Sequence, residues 1–281
     1  MKSTVPNINK KSVVRLTFSL LIFITIGVVF SCNEPIKAQD AENTSDKSQE
    51  VKKVEEGKID EQLDQTRQFR KDELLGKLTP STDTGFIKIQ LAYTKKPAIY
   101  LRKAPYESFI KLYEAANKSG IKLMILSATR NFDAQKSIWE KKWSDPKYSK
   151  YSEKERASQI MKFSSMPGTS RHHWGTDVDF NNLSPSYFES GQGKKIYDWL
   201  VTNAADYGFY QTYTNKSQGR TGYEEEKWHW TYLPLSGPML DAYNNQINYS
   251  DITGFKGSEA AVAVQAIELY VNGIDSTLKS K

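Results

Sequence analysis

From residue 85 onward the chain falls into short segments whose apolar residues recur at regular intervals. Residues 86–93 (FIKIQLAY) alternate apolar with polar, the period of a half-buried strand. A helix follows, with Pro105 at its first position, Phe109, Leu112, Tyr113 and Ala116 on one face, and Gly120 at its end. The apolar run 121–128 (IKLMILSA) predicts a central strand. Asn131 then caps a helix that carries Ala134, Ile138, Trp139 and Trp143, and a more polar helix spans about 153–163. In TDVDF, 176–180, the alternation puts Asp177 and Asp179 on one side of a strand and turns Val178 and Phe180 to the core. Residues 194–207 form a helix with Ile196, Trp199, Leu200, Ala204 and Tyr207 inward, stopped by Gly208. A last strand alternates Trp228, Trp230 and Tyr232 with His229 and Thr231, and a helical tail covers 258–274.

The chain before residue 76 is of two other kinds. Residues 1–31 have a basic start, an apolar run from about Leu16 to Phe30 and a small residue before Cys32, the parts of an export signal. Cys32 is the only cysteine and so has no intramolecular disulfide partner. Residues 32–75 turn to Glu, Lys, Asp, Gln and Ser, a composition that buries too little surface to offset ordering; they read as a polar spacer, helical from about residue 59. The folded domain is expected over 76–281. Its 38% hydrophobic and 12% aromatic content suffices for a sizeable core, and no internal repeat is visible.

Charge changes this picture little. The formal net charge is +6, but Lys2, Lys10, Lys11 and Arg15 lie in the export signal, and subtracting those four leaves +2. That is too small an excess to indicate a nucleic-acid partner.

Histidine placement changes it more. All three histidines fall in two short motifs flanked by acids: His172 and His173 in SRHHWGTDVDF, and His229 three residues after Glu226. Imidazole nitrogen and carboxylate oxygen both suit zinc, and a catalytic zinc takes three protein ligands with a fourth position open. The first motif offers two such ligands, with Asp177 and Asp179 competing for the carboxylate role. The plainer alternative is an Asp-rich turn running into a strand. Arg130, at the mouth of a strand-to-helix loop, is placed either to grip a carboxylate or to pair with a structural aspartate.

Taken together, Ser170, His172, Gly175 and Asp179, then Glu226, Trp228, His229 and Trp230, resemble the zinc D-alanyl-D-alanine carboxypeptidases of the LAS metallopeptidase group. SATRNFDAQ, 127–135, and WLVTNAADYGF, 199–209, are similar to two further segments of that family. Val29, Phe30 and Ser31 before Cys32 resemble the lipobox of bacterial lipoproteins. The first resemblance implies an α+β fold of the LAS/Hedgehog type, a small antiparallel sheet flanked by helices with the metal at one edge. It implies zinc on His172, Asp179 and His229, with Glu226 as general base and acid. Arg130 would contact substrate, with Gln135 and Ser170 beside it and His173 in a supporting or surface position. Asp177 stands where a small residue is usual, and Thr231 where arginine often stands. The implied function is trimming of peptidoglycan stem peptides by a monomer that Cys32 anchors to the membrane of the bacterial envelope, facing the periplasm or the exterior. The alternatives are an endopeptidase or L,D-carboxypeptidase on the same site, or a zinc-containing cell-wall binding module without turnover.

Overall fold

The computed structural model describes residues 68–279. The segments read as export signal and spacer, with Cys32, lie outside the described residues up to residue 67. Among the described residues no helix is long and apolar enough to cross a membrane.

After a four-residue helix α1 (Lys71–Leu74), strands β1 (Phe86–Lys88) and β2 (Tyr100–Arg102) pair antiparallel as a small sheet of their own. Then come α2 (Lys103–Lys118), β3 (Ile125–Ser127), α3 (Phe132–Trp143), α4 (Glu153–Ile160), β4 (Asp177–Phe180) and α5 (Gly191–Asn203). The chain closes with β5 (Phe209–Gln211), β6 (His229–Tyr232), α6 (Leu233–Gln246) and the short α7 (Ala260–Ala263). β3 to β6 form one antiparallel sheet in the order β3-β4-β6-β5. The architecture is α+β, as the motifs imply.

One face of this sheet is apolar. Val178, Phe180 and Trp230 pack there on Phe109, Leu112 and Ala116 of α2 and on Ile196 and Leu200 of α5. The alternation read in 176–180 therefore holds, and it turns Asp177 and Asp179 to the opposite face. A second core joins Phe69, Leu74 and Leu75 to Trp174 and to Leu235, Met239 and Tyr243 of α6. A third joins Trp139 and Trp143 of α3 to Ile160, Phe255 and Ala260. Asn131 does cap α3, its side chain accepting from the Ala134 N–H.

Several expectations need correction. The alternation of 86–93 yields only three strand residues, because β1 pairs with β2 alone and the chain then turns. β3 lies at the end of its sheet rather than its centre; the middle strands are β4 and β6, which bear the polar motifs. Phe69, Leu74 and Leu75 fall in the stretch whose composition reads as spacer, yet all three are buried. The tail is not one helix: Gln265 has φ 52°, and this left-handed residue separates α7 from a π-helical turn at Ala266–Val271. Helix α6 has no counterpart in the periodicity reading. Pro234 sits in its first turn, where a missing N–H costs nothing, and Pro238 removes a single bond.

Candidate metal centre

The site is built on two neighbouring cross-strand pairs. In the β4·β6 ladder Asp179 stands opposite His229, and Asp177 opposite Thr231. Directly opposed residues on one face of an antiparallel pair have their side chains in contact. The third element is a tight turn, Arg171–Trp174, which ends at Gly175 with φ 72°. A side chain at 175 would strike the Phe86 ring and Arg102, so the turn is wedged against the small sheet. Arg102 fastens it from the other side: its backbone N–H donates to the Gly175 carbonyl at 3.1 Å and its Nε to the Trp174 carbonyl at 2.5 Å.

This turn carries His172 to the sheet. Its Nδ1 lies 2.8 Å from the Ala128 carbonyl, which can only accept, so Nδ1 bears the proton and Nε2 keeps a lone pair. Nε2 points at Asp179 Oδ2, 3.3 Å away. His229 has the opposite tautomer. Its Nε2 lies 2.8 Å from Asp177 Oδ2 and donates to it, which leaves Nδ1 directed at Asp179 Oδ1, 3.2 Å away. The ligand atoms of His172, Asp179 and His229 all lie within 4.8 Å of one another, and all three residues are buried. Asp179 Oδ1 receives no hydrogen bond. Lone pairs aimed at one point from three sides repel unless a cation stands between them. A proton on His229 answers in part: burial lowers its pKa, but Asp177 and Asp179 together lift it to about 9. A divalent metal answers for all three donors.

The competition between the two carboxylates is decided by hydrogen bonds. Asp177 is wholly buried and saturated: it accepts from Thr176 Oγ1 at 2.6 Å, Thr231 Oγ1 at 2.7 Å, Arg171 Nε at 3.1 Å and His229. Thr231 in turn accepts from Arg171 Nη2 at 3.0 Å. Burial works against ionising Asp177, but Arg171 and the imidazoles outweigh it and hold the carboxyl well below its usual range. Asp177 therefore has no lone pair to offer a metal, whereas Asp179 does. The two positions that depart from the resemblance, 177 and 231, prove to be bonded to each other. Spacing along the chain gave no signal for Arg171, whose role emerges only once the turn folds back over the ladder.

Glu226 lies in the loop entering β6, with Oε2 3.5 Å from His229 Nδ1, the nitrogen that faces Asp179. Burial pushes its pKa up to about 8, against the opposing pull of His229. Arg130 places Nη2 3.9 Å from Asp179 Oδ2, and its Nε has no partner. Ser170 lines the same cleft with its hydroxyl unbonded.

Gln135 is placed otherwise than expected. It is fully buried and both ends of its amide are used, accepting from Arg130 Nη1 at 2.5 Å and donating to the Ser165 carbonyl at 2.7 Å. It positions Arg130 rather than facing a substrate. His173 is not at the surface: it accepts from the Gly168 N–H and donates to the Arg130 carbonyl at 2.7 Å. Burial drives its pKa down to about 3, so this clamp stays neutral. The cleft above these groups has a volume of about 380 Å³, with Ile138, Phe163 and Leu183 at its rim.

Two imidazoles and a carboxylate converge on one point, with a second carboxylate beside it and a guanidinium 3.9 Å from the first, a donor set able to hold one metal ion on an α+β scaffold. Residues 98–235 match the VanY family model, described as D-alanyl-D-alanine carboxypeptidase. The chain is similar to a D-alanyl-D-alanine carboxypeptidase of Enterococcus faecalis, 28% identical over 137 residues, which are 49% of this chain and 49% of that protein. Among solved structures it is similar to VanYB in complex with D-alanine-D-alanine, at 21% identity and a TM-score of 0.45 over 60% of this chain and 87% of that one. It is similar also to a variant of the vancomycin-resistance D,D-pentapeptidase VanY in complex with Zn(II), at 21% identity and a TM-score of 0.44 over 64% and 92% of the two chains. The chain spans about half the length of the curated relatives it matches.

Proposed function

We propose that the domain is a zinc-dependent carboxypeptidase that removes the terminal D-alanine from peptidoglycan stem peptides. The observation that carries this reading is the convergence of His172 Nε2, His229 Nδ1 and Asp179 with the Glu226 carboxylate at one side of the same point. Two nitrogens and one oxygen suit zinc, and three protein ligands are the number of a catalytic rather than a structural site. Zinc held there supplies a Lewis acid for the scissile carbonyl and makes water available as a nucleophile near neutral pH. Glu226 takes the proton of the attacking water and returns it to the leaving amine. Arg130, steadied by Gln135 at one edge of its guanidinium and by His173 through its carbonyl, binds the free terminal carboxylate.

That last assignment makes the reading testable. The zinc-loaded protein is expected to release D-alanine from peptides ending in D-Ala-D-Ala. Amidating the terminal carboxylate should lower kcat/KM by ~10² or more, because the guanidinium would then face an uncharged group. In Arg130→Ala the two substrates should differ far less. Equal cleavage of free and amidated peptides by the wild type would overturn the assignment and indicate an endopeptidase.

The place of action is the bacterial envelope, with the domain tethered as a monomer through lipid on Cys32. The VVFSC sequence supports this, together with a substrate that lies outside the cytoplasm. Cells fed a fatty-acid probe should label the wild type and not Cys32→Ser. An unlabelled wild type removes the lipid anchor from the proposal.

A further inference from the structure

The cleft holds more positive charge than the reaction above employs. Along α3, Gln135, Ile138 and Lys142 recur at intervals of three and four and so share one face of the helix. Gln135 holds Arg130 at the inner end of that face, and Ile138 and Lys142 line the cleft beyond it. Seven residues of helix give about 10 Å of rise between Gln135 and Lys142. That is the span of about three extended peptide residues.

Lys142 is half-buried and, among the described residues, has no carboxylate within ion-pair distance. Burial lowers the pKa of its ammonium, Arg130 and Lys147 push the same way, and Glu226 is the one acid that opposes them. Lys96, from the loop after β1, also lines the cleft and also lacks an ion-pair partner among the described residues. A place in the last turn of α3 suits a cation through the helix dipole. The dipole does not account for a side chain turned into the cleft, where a lone ammonium loses hydration without compensation.

We infer that Lys142, assisted by Lys96, binds a second carboxylate of the substrate upstream of the scissile bond, so that this cleft selects acidic peptides. The inference rests on the carboxypeptidase reading. One carboxylate of the peptide, the terminal one, lies on Arg130; the backbone runs outward along the α3 face past Ile138; a further carboxylate, on a side chain or branch, meets Lys142. A peptide lacking that group leaves the ammonium as poorly matched as it is in the free protein.

The test uses the zinc-loaded full chain and acetylated peptides ending in D-Ala-D-Ala. In one pair the third residue from the end is glutamate or glutamine, and in another pair the fourth is. For at least one pair the glutamate peptide should have a kcat/KM about five- to tenfold higher, expressed mainly in KM, as befits a charge pair open to solvent at one side. Lys142→Met should bring the two members of that pair within about twofold by slowing the acidic peptide alone, and Lys142→Arg should keep the preference. Equal rates for both members of both pairs in the wild type, or an undiminished preference in Lys142→Met, would overturn the inference and leave the carboxypeptidase reading standing. Absence of cleavage of all four peptides would sink that reading instead. Calorimetric binding of the same peptides to the zinc-loaded protein then decides the acidic preference on its own, with equal affinities counting against it.

Discussion

Glu226→Gln is expected to keep both fold and metal while losing turnover by at least ~10². The amide has the size of the carboxylate and can still form hydrogen bonds, but it cannot take a proton. The three groups converging on the metal position, His172, Asp179 and His229, are untouched by the substitution. The carboxyl is buried, and burial, with the Asp179 charge nearby, lifts its pKa to about 8 against the pull of His229 and Arg130. A divalent cation a few ångströms away would favour the ionised form and restore a base at neutral pH. Zinc content per chain and turnover, measured on one preparation, check the prediction. Wild-type turnover in this variant would mean that the proton is carried elsewhere. A wild type that binds the peptide without cleaving it would indicate a binding module.

The second large effect is expected at Asp177, whose oxygens are taken up by four hydrogen bonds. Asp177→Asn should weaken zinc binding by about 10- to 100-fold, the usual consequence of removing the partner that orients a ligand imidazole. His229 would lose the acceptor that fixes its tautomer and aims Nδ1. The same change leaves the Arg171 guanidinium, almost wholly buried, without its counter-charge. Breaking a buried pair in this way costs about 3–5 kcal/mol. Competition with a chelator and denaturant unfolding separate the two consequences. Lowered stability with unchanged zinc affinity would make Asp177 a support of the fold alone. Asp179→Ala should do still more damage to metal binding, since the atom lost there is itself a donor, and the reverse order would mean that Asp177 is the ligand.

How far the site was legible in the sequence depended on what kind of fact each residue's role required. A period of two is enough to put Asp177 and Asp179 on one side of a strand, and β4 does so. A side-chain oxygen just before a helical pattern is enough to assign the cap at Asn131. Choosing between two aspartates on the same face is different. It depends on which acceptors other elements saturate, and Arg171, Thr176 and Thr231 come from the turn, the strand entry and a strand more than fifty residues away. Gln135 misled for the same reason: its position beside Arg130 is visible in the sequence, but the Ser165 carbonyl that occupies its other end is not. Apolar runs were ambiguous where burial came from outside the sheet. Residues 121–128 read as central because they are apolar, yet Ile121, Leu123 and Ile125 are buried in the core shared with α2 and α5, and beyond β4 a single bridge from Thr94 is what pairs with β3 among the described residues. Phe69, Leu74 and Leu75 are too sparse among charges to signal a core, and they acquire one only when α6 is laid against them.

The pairing of Asp179 with His229 across the β4·β6 ladder also bears on how the protein folds. Fifty residues separate these two positions, with α5 and β5 threaded between them. That loop must close before either side chain finds the other, and such contacts are made slowly and at an entropic cost that local structure does not repay. The unfolded chain therefore holds no part of the centre beyond a single histidine and its neighbouring acids. Whatever affinity the finished site has for its ion acts as stability of the native state, concentrated in the two middle strands, which are only four residues long each.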